Sequence, residues 1–205
     1  MTASWMFDPW IPARVNFEGV RLLLVGESHY DKEKTLPRST TKEVVEAYGV
    51  GDQVGATKLF KNAYAAFTGD FDLAQRGGKA EFWRSVCYCN YFQRVMWPPG
   101  EAPTPEDYIE SAQPFEALLR FLQPDCFVVM SDRLWKRMRN SCVRIEHVGP
   151  LNGDDAFAFD VGGSNAAPAI HINHPSPGGP PPFDPKRWHP VITEFLNYCR
   201  EAPKR

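Results

Sequence analysis

The stretch Arg21-Leu22-Leu23-Leu24-Val25-Gly26 decides the fold class of this chain. It is a short apolar run that ends at a glycine, and this pattern predicts a buried strand followed by a tight turn. Residues 86–90, 126–130 and 169–172 are similar runs, and residues 156–159 form a weaker one. Because helix signals separate these runs, the order of elements predicts an alternating α/β domain with a mostly parallel sheet.

Capping residues mark the helix starts. Thr104 and Asp184 each stand directly before a proline, which predicts a helix with proline at its first position. Thr40 with Glu43 predicts a capping box for a third helix. The helix after Thr104 is expected to bury Ile109, Ala112, Phe115 and Leu119. The final helix is expected to bury Trp188, Val191, Ile192, Phe195, Leu196 and Cys199.

The composition is that of one ordinary globular domain. With 205 residues, of which 43% are hydrophobic, the chain is long enough to bury a core, and we expect a single domain spanning residues 1–205. No run approaches the roughly 18 apolar residues of a membrane span, and the first residues lack the regions of a signal peptide. We therefore expect a soluble, cytoplasmic protein with no membrane partner. Five cysteines, an odd number, favour reduced thiols over a disulfide framework.

The charge pattern bears on nucleic-acid partners. A formal net charge of -2 argues against a broad electrostatic grip on nucleic acid, although a local basic groove is compatible with it. Arginines and lysines gather in residues 133–139. We interpret this run as the solvated face of a helix.

Motifs for metals and nucleotide cofactors are incomplete. His171 and His174 are three residues apart on a predicted strand, which places them on opposite faces. Cys87 and Cys89 have no second close cysteine pair to complete a tetrahedral zinc site. The turn at Gly26 lacks the further glycines and the lysine of a dinucleotide or phosphate loop. We therefore expect neither a metal nor an organic cofactor.

Polar residues follow the predicted strands, at the edge where parallel α/β sheets bind ligands. Glu27 follows the first strand, Asn90 ends the second, Ser131 and Asp132 follow the third, and His174 follows the last. A carboxylate, an amide and an imidazole that face one pocket can position water, read a polar ring edge and stabilise a leaving anion. The alternative is structural: Glu27 forms a salt bridge or starts a helix, Asn90 caps a loop, and neighbouring backbone satisfies His174.

Two motifs and the asparagine between them resemble the uracil-DNA glycosylase superfamily. Gly26-Glu27-Ser28-His29-Tyr30-Asp31 is similar to the family-one motif Gly-Gln-Asp-Pro-Tyr-His, and His174-Pro175-Ser176-Pro177 matches its motif His-Pro-Ser-Pro. Asn90 resembles the asparagine that reads uracil. The resemblance covers roughly residues 20–197 and depends on the order and spacing of short motifs. It implies a three-layer α/β/α domain with a central, mostly parallel sheet of four to five strands.

The resemblance implies a monofunctional DNA glycosylase of base-excision repair, which flips a base out of DNA and hydrolyses its N-glycosidic bond. Its partner would be DNA that contains uracil or another deaminated base, and it would act as a monomer without a cofactor. Glu27, His174 and Asn90 would be catalytic: Glu27 directs water, His174 donates to O2 of the departing base, and Asn90 pairs with its N3–H and O4 edge. The substrate-binding residues would be Gly26, Ser28, Tyr30, Asp31, Pro175, Ser176 and Pro177.

Three positions depart from the family-one pattern. Ser28 stands where that family has the aspartate that orients water, so we expect Glu27, with Asp31 as a fallback, to take over this role. His29 replaces a proline, and Gly178 stands where the family inserts a leucine into the DNA stack. These departures leave two other functions open. One is a non-catalytic member of the fold that binds a nucleobase or nucleic acid, and the other is a hydrolase of free nucleosides.

Overall fold

The fold is given by a computed structural model that describes residues 5–33, 35–53, 57–75, 77–96, 102–141, 144–151, 154–162, 165–176 and 182–201. Within these residues the strands are β1 (Leu22–Gly26), β2 (His29–Tyr30), β3 (Cys87–Asn90), β4 (Val95–Met96), β5 (Cys126–Val129), β6 (Arg144–Leu151), β7 (Asp154–Gly162) and β8 (Asn165–His171). The helices are α1 (Thr40–Val44), α2 (Thr57–Thr68), α3 (Gly78–Trp83), α4 (Pro105–Leu122), α5 (Asp132–Ser141) and α6 (Pro185–Glu201). A π-helical segment, Val45–Val50, continues α1.

Six strands form one sheet in the order β3-β1-β5-β8-β7-β6. Neighbouring strands from β3 to β8 run parallel, and β7 and β6 add an antiparallel edge. The predicted α/β class with a mostly parallel sheet is confirmed. The sheet exceeds the expected four to five strands because it includes β6, whose sequence mixes charged residues with a Gly-Pro pair and so lacks the apolar run of its neighbours.

Side chains that alternate along the strands supply two hydrophobic cores, one on each face of the sheet. Leu22 and Leu24 of β1 belong to the first core, which packs against α2, α3 and α6. Leu23 and Val25 belong to the second core, which packs against α4 and α5. The result is the expected three-layer α/β/α arrangement.

The chain adds its next strands to the sheet on opposite sides of β1. The chain leaves β1 for β3 on one side through α1, α2 and α3, and then passes through α4 to β5 on the other side. The two connections lie on opposite faces, because α2 and α3 pack on the first core and α4 packs on the second. This arrangement opens a crevice outside the carboxyl ends of β1, β3 and β5, which is where ligands bind in open α/β sheets.

Two of the three predicted helix starts are confirmed. Thr104 caps α4 in a capping box, and Asp184 accepts a hydrogen bond from an amide of the first turn of α6. The capping box predicted for Thr40 and Glu43 is wrong. The N-cap of α1 is Ser39, whose hydroxyl donates to the Glu43 carboxylate, so the helix begins one residue earlier than the motif implies.

The buried faces of the two long helices follow the predictions closely. On α6 the predicted residues are buried or, for Val191, half-buried. On α4, Ala112, Phe115 and Leu119 are buried, but Ile109 is 68% exposed. Tyr108 takes the core position instead, because it lies one helical turn before Ala112 on the buried face of α4.

Candidate active site

The carboxyl ends of the parallel strands lie level with one another. Gly26 at the end of β1 is in register with Asn90 of β3. Val129 of β5 is in register with Val25 on one side and with His171 of β8 on the other. The segments that follow these four strands therefore meet at one edge of the sheet, as predicted.

Glu27, the first residue after β1, forms a bidentate ion pair. Its Oε1 accepts a hydrogen bond from Nε of Arg133 at 2.9 Å, and its Oε2 accepts one from Nη2 at 2.8 Å. The Glu27 side chain is 8% exposed and the Arg133 side chain 40%, so the carboxylate is the deeper partner. Arg133 lies in the first turn of α5, which Ser131 caps by accepting from the Leu134 amide. The hydrogen bonds to Glu27 raise the pKa of Arg133.

Asn90 is buried, and the described residues hold its side-chain amide at the oxygen end only. Tyr88, two residues earlier on the same face of β3, donates its hydroxyl hydrogen to Oδ1 of Asn90 at 2.9 Å. The amide nitrogen Nδ2 is buried and has no hydrogen-bond partner among the described residues. Because a buried N–H without a partner is costly, this group is a donor that a bound ligand can satisfy.

Gly26 makes room for this contact. A Cβ atom at its position would lie 2.2 Å from the hydroxyl oxygen of Tyr88 and 2.3 Å from Oδ1 of Asn90. The absence of a side chain at Gly26 therefore allows Tyr88 and Asn90 to meet beside β1. The glycine that ends the first apolar run thus shapes the site through its neighbours.

His174, which follows β8, has its ring oriented by Ser176. The Ser176 amide donates to Nδ1 of His174 at 3.2 Å, and the Ser176 hydroxyl lies 2.9 Å from the same atom. Since Nδ1 accepts from the backbone, the neutral ring carries its proton on Nε2, and this N–H is a donor for a ligand. Burial lowers the pKa of His174, while Glu27 opposes and Arg133 reinforces that shift. His174 therefore lies within the electrostatic influence of both members of the ion pair.

The remaining residues of the first motif take different positions. The hydroxyl oxygen of Ser28 is buried without a hydrogen-bond partner among the residues that the structure describes. Tyr30 is half-buried in β2, which pairs with β4, and it lies near enough to Arg133 to contribute to the raised pKa of that group. Asp31 accepts a hydrogen bond from the Thr35 amide at 3.1 Å, so its carboxylate closes its own turn.

The last motif is described as far as Ser176. Pro175 is buried, and its carbonyl oxygen accepts a hydrogen bond from Nδ2 of Asn62 on α2 at 2.7 Å. This contact fixes the backbone next to His174 against the first helical layer. Pro177, a predicted substrate-binding residue, and Gly178, at the position of the family's leucine, lie outside the described residues.

Glu27 and Asn90 approach the edge of the sheet from opposite faces. Asn90 shares its face with Tyr88, which belongs to the first core, whereas Glu27 turns towards α5, which packs on the second. His174 connects the two sides, because its pKa responds to Glu27 and Arg133 while the residue after it is bonded to α2. The edge thus combines two N–H donors, from Asn90 and His174, with one ion pair.

Two residues of this geometry are not among the predicted site residues. Arg133 belongs to the run interpreted as a solvated helix face, and that interpretation is wrong for Arg133. It fits Lys136, which pairs with Asp132 at 2.8 Å along the same helix. The signal that points to Arg133 is its place three residues after Met130, soon after the third apolar run. The signal for Tyr88 is its place two residues before Asn90, on the same face of the strand.

Other potential sites lie elsewhere. A cavity of about 600 Å³ is lined by Trp10 and Glu46 among others, and one of about 260 Å³ by Lys61 and Lys79 among others. Neither is lined by a predicted site residue. In the part of the chain that the structure describes, no group of three or more His, Cys, Asp and Glu side chains could hold a metal ion. None of the helices within the described ranges is both long enough and apolar enough to span a membrane.

Comparison with known proteins assigns no family to the chain. No protein-family model matches it, and no curated protein matches it either. The geometry of this sheet edge, the chemistry of its side chains and the two sequence motifs are therefore the basis for a functional proposal.

Proposed function

We propose that this protein is a DNA glycosylase that removes uracil, or another deaminated base, from DNA by hydrolysis of the N-glycosidic bond. The proposal includes action as a cytoplasmic monomer in base-excision repair, without a cofactor. Two features support it. The first and last motifs resemble those of the uracil-DNA glycosylase superfamily, and the strands that precede them, β1 and β8, end at the same edge of the sheet.

The observation that carries the proposal is the half-satisfied amide of Asn90. Its Nδ2 lacks a partner among the described residues, and Tyr88 engages one lone pair of Oδ1 and leaves the other. A uracil edge presents an acceptor at O4 next to a donor at N3–H, which complements such an amide, whereas cytosine presents the reverse. A base flipped out of DNA would supply the missing partners.

His174 and Glu27 supply the remaining chemistry of the proposed reaction. The Nε2–H of His174 donates to O2 of the base as negative charge develops there. The Glu27 carboxylate faces the positive charge that develops on the sugar, and its lone pairs direct the attacking water. Ser28, whose hydroxyl oxygen also lacks a partner among the described residues, is placed next in the chain to help hold that water. Tyr30 lines the pocket of the base.

The test uses single- and double-stranded oligonucleotides that carry uracil, hypoxanthine or xanthine. Incubation followed by alkali is expected to cut the strand at the modified base. The variants Asn90→Ala, His174→Ala and Glu27→Ala are each expected to slow cutting by about a hundredfold, as loss of a transition-state donor or charge does in other enzymes. Arg120→Gln is the control, because its exposed pair with Asp160 lies on the far end of α4. Absence of cutting on every substrate would overturn the activity, and cutting that survives all three substitutions together would overturn the site.

A non-catalytic binding module of the same fold is the second candidate, and the ion pair of Glu27 favours it. Both carboxylate oxygens are engaged by Arg133, as in a structural salt bridge. Tight, salt-sensitive DNA binding without base release would identify a DNA-binding module. Nucleobase binding without affinity for DNA would identify a sensor.

A further inference from the structure

The ion pair between Glu27 and Arg133 has an exposed half. Nε and Nη2 of Arg133 donate to Glu27, whereas Nη1 makes no hydrogen bond to any residue that the structure describes. The Arg133 side chain is 40% exposed, against 8% for Glu27. The guanidinium therefore presents Nη1–H donors that no described residue accepts, and a positive charge, at the surface side of the crevice.

The ion pair conflicts with the charge that the proposed reaction needs. A carboxylate stabilises a cationic sugar only to the extent that its negative charge is not already compensated. A guanidinium at 2.8 Å compensates it strongly in a partly desolvated crevice. The closed pair is thus suited to the free protein, and catalysis by Glu27 requires that Arg133 moves away from it.

The same end of α5 suits a phosphate. Arg137 follows Arg133 by one helical turn, and both oppose the rise in the pKa of Tyr108 that burial causes, so both positive charges act on the same neighbourhood. A phosphodiester offers two oxygens to a guanidinium in the same bidentate geometry as a carboxylate. A nucleic-acid strand that lies across the crevice would therefore compete with Glu27 for Arg133.

We propose that Arg133 exchanges Glu27 for a phosphodiester group of the bound nucleic-acid strand, and that this exchange releases the carboxylate towards the sugar. The inference rests on the proposed function, because it assumes a nucleic acid at this edge. It assigns Arg133 as a substrate-binding residue that is closed in the free protein. Before the strand binds, Glu27 competes with the DNA phosphate for the Arg133 guanidinium.

The experiment is a double-substitution cycle between Arg133 and single phosphates. The Kd of wild-type protein and of Arg133→Gln is measured for oligonucleotides that carry one 2′-fluoro-deoxyuridine, which resists cleavage. Each oligonucleotide also carries one neutral methylphosphonate, placed at a different position around that nucleotide. At one position the methylphosphonate is expected to weaken binding of the wild type by about tenfold and to leave binding of Arg133→Gln unchanged. Arg133→Gln is also expected to lower the slope of log K against log salt by about 1. Arg120→Gln, at the far end of α4, is the charge-matched control and should keep the wild-type pattern.

A second variant tests the competition and guards against misfolding of the first. Glu27→Gln removes the competitor and is expected to bind the uncleavable oligonucleotide several-fold more tightly than the wild type. Loss of a repelling charge alone predicts the same gain in the Arg133→Gln background, whereas the exchange predicts that the gain disappears there; a gain that persists without Arg133 would overturn the exchange.

The outcomes separate the two proposals. If the two changes weaken binding independently, the fold-change in Kd for both together equals the product of the single fold-changes at every position. That result would overturn the exchange, even if the wild type cuts uracil-containing DNA as proposed. Coupling at one position in a protein that cuts no DNA would support the phosphate contact and overturn the glycosylase activity. Absence of DNA binding by the wild type would overturn both.

Discussion

Tyr88 donates its hydroxyl hydrogen to Oδ1 of Asn90 across 2.9 Å, on the face of β3 where Gly26 of the next strand leaves space for both side chains. The hydrogen bond determines which end of the amide is occupied. It therefore leaves Nδ2 of Asn90 as the group that a ligand can bind. Tyr88 is in this sense a positioning residue for Asn90.

The first prediction concerns Tyr88→Phe. Removal of the hydroxyl frees the Asn90 amide to rotate, so we expect single-turnover base release to slow by about tenfold, equivalent to about 1.4 kcal/mol of activation free energy. The free energy of unfolding should fall by about 1 kcal/mol, as for a typical buried hydrogen bond. Quenched-flow kinetics and urea unfolding measure the two quantities.

A matched control separates positioning from stability. The Tyr91 hydroxyl also makes a buried hydrogen bond, at 2.8 Å to the carbonyl oxygen of Tyr108, but it lies in the second core, on the opposite face of the sheet from Tyr88. Tyr91→Phe should therefore cost similar stability and leave base release unchanged. If both variants slow base release equally, Tyr88 acts only through the stability of the fold.

The second prediction concerns the protonation of His174. Burial lowers its pKa, Glu27 acts to raise it and Arg133 acts to lower it further. Arg133→Gln should therefore shift the pKa of His174 upwards, and Glu27→Gln should shift it downwards. Long-range ¹H–¹⁵N NMR of the imidazole measures both shifts and should show the proton on Nε2 at neutral pH, because Nδ1 accepts from the Ser176 amide. Shifts of the same sign in the two variants would show that His174 does not respond to the two charges separately.

The third prediction concerns the stability of the ion pair. Arg133→Gln leaves the buried Glu27 carboxylate without its charged partner, and we expect a loss of about 1–3 kcal/mol in the free energy of unfolding. Glu27→Gln should cost less, because the remaining charge on Arg133 is 40% exposed and can be hydrated. Arg120→Gln breaks the more exposed pair with Asp160 and should cost below about 1 kcal/mol. Equal losses at Arg133 and Arg120 would mean that burial of Glu27 adds nothing.

The fold was largely predictable because its strands are short apolar runs. Residues 22–26 and 126–129 lie in the middle of the sheet and are buried on both faces, so their sequences carry the signal directly. A search for short apolar runs does not find β6, because this strand lies at the edge of the sheet and its sequence carries charges. The same search does not find β2 and β4, because strands of two residues are too short to show a periodic pattern of apolar residues.

The positions of the candidate site at one sheet edge were predictable, but the contacts between its side chains were not. Parallel strands bring Glu27, Asn90 and His174 to one edge by geometry alone. The partner of Glu27 depends on the order of strands, because Arg133 is 106 residues away and comes near only when β5 lies beside β1. In the sequence, Arg133 is one of several basic residues that a solvated helix face would also contain.

The fourth prediction concerns acid stability and His29, which stands where the family-one uracil-DNA glycosylase motif has proline. Burial lowers the pKa of His29 from 6.5 to about 4, and its Nε2 lies 2.8 Å from the hydroxyl of Thr41. Well above pH 6.5 the ring is neutral in both the native and the unfolded state, so its burial carries no protonation cost. As the pH falls from 6.5 to 4, the unfolded chain binds a proton that the native state excludes, and we expect a loss of about 3 kcal/mol. Urea unfolding between these pH values should show a much flatter profile for His29→Gln, whereas Thr41→Val, which retains the buried ring, should keep the wild-type slope; a profile that His29→Gln does not flatten would assign the acid sensitivity to other groups.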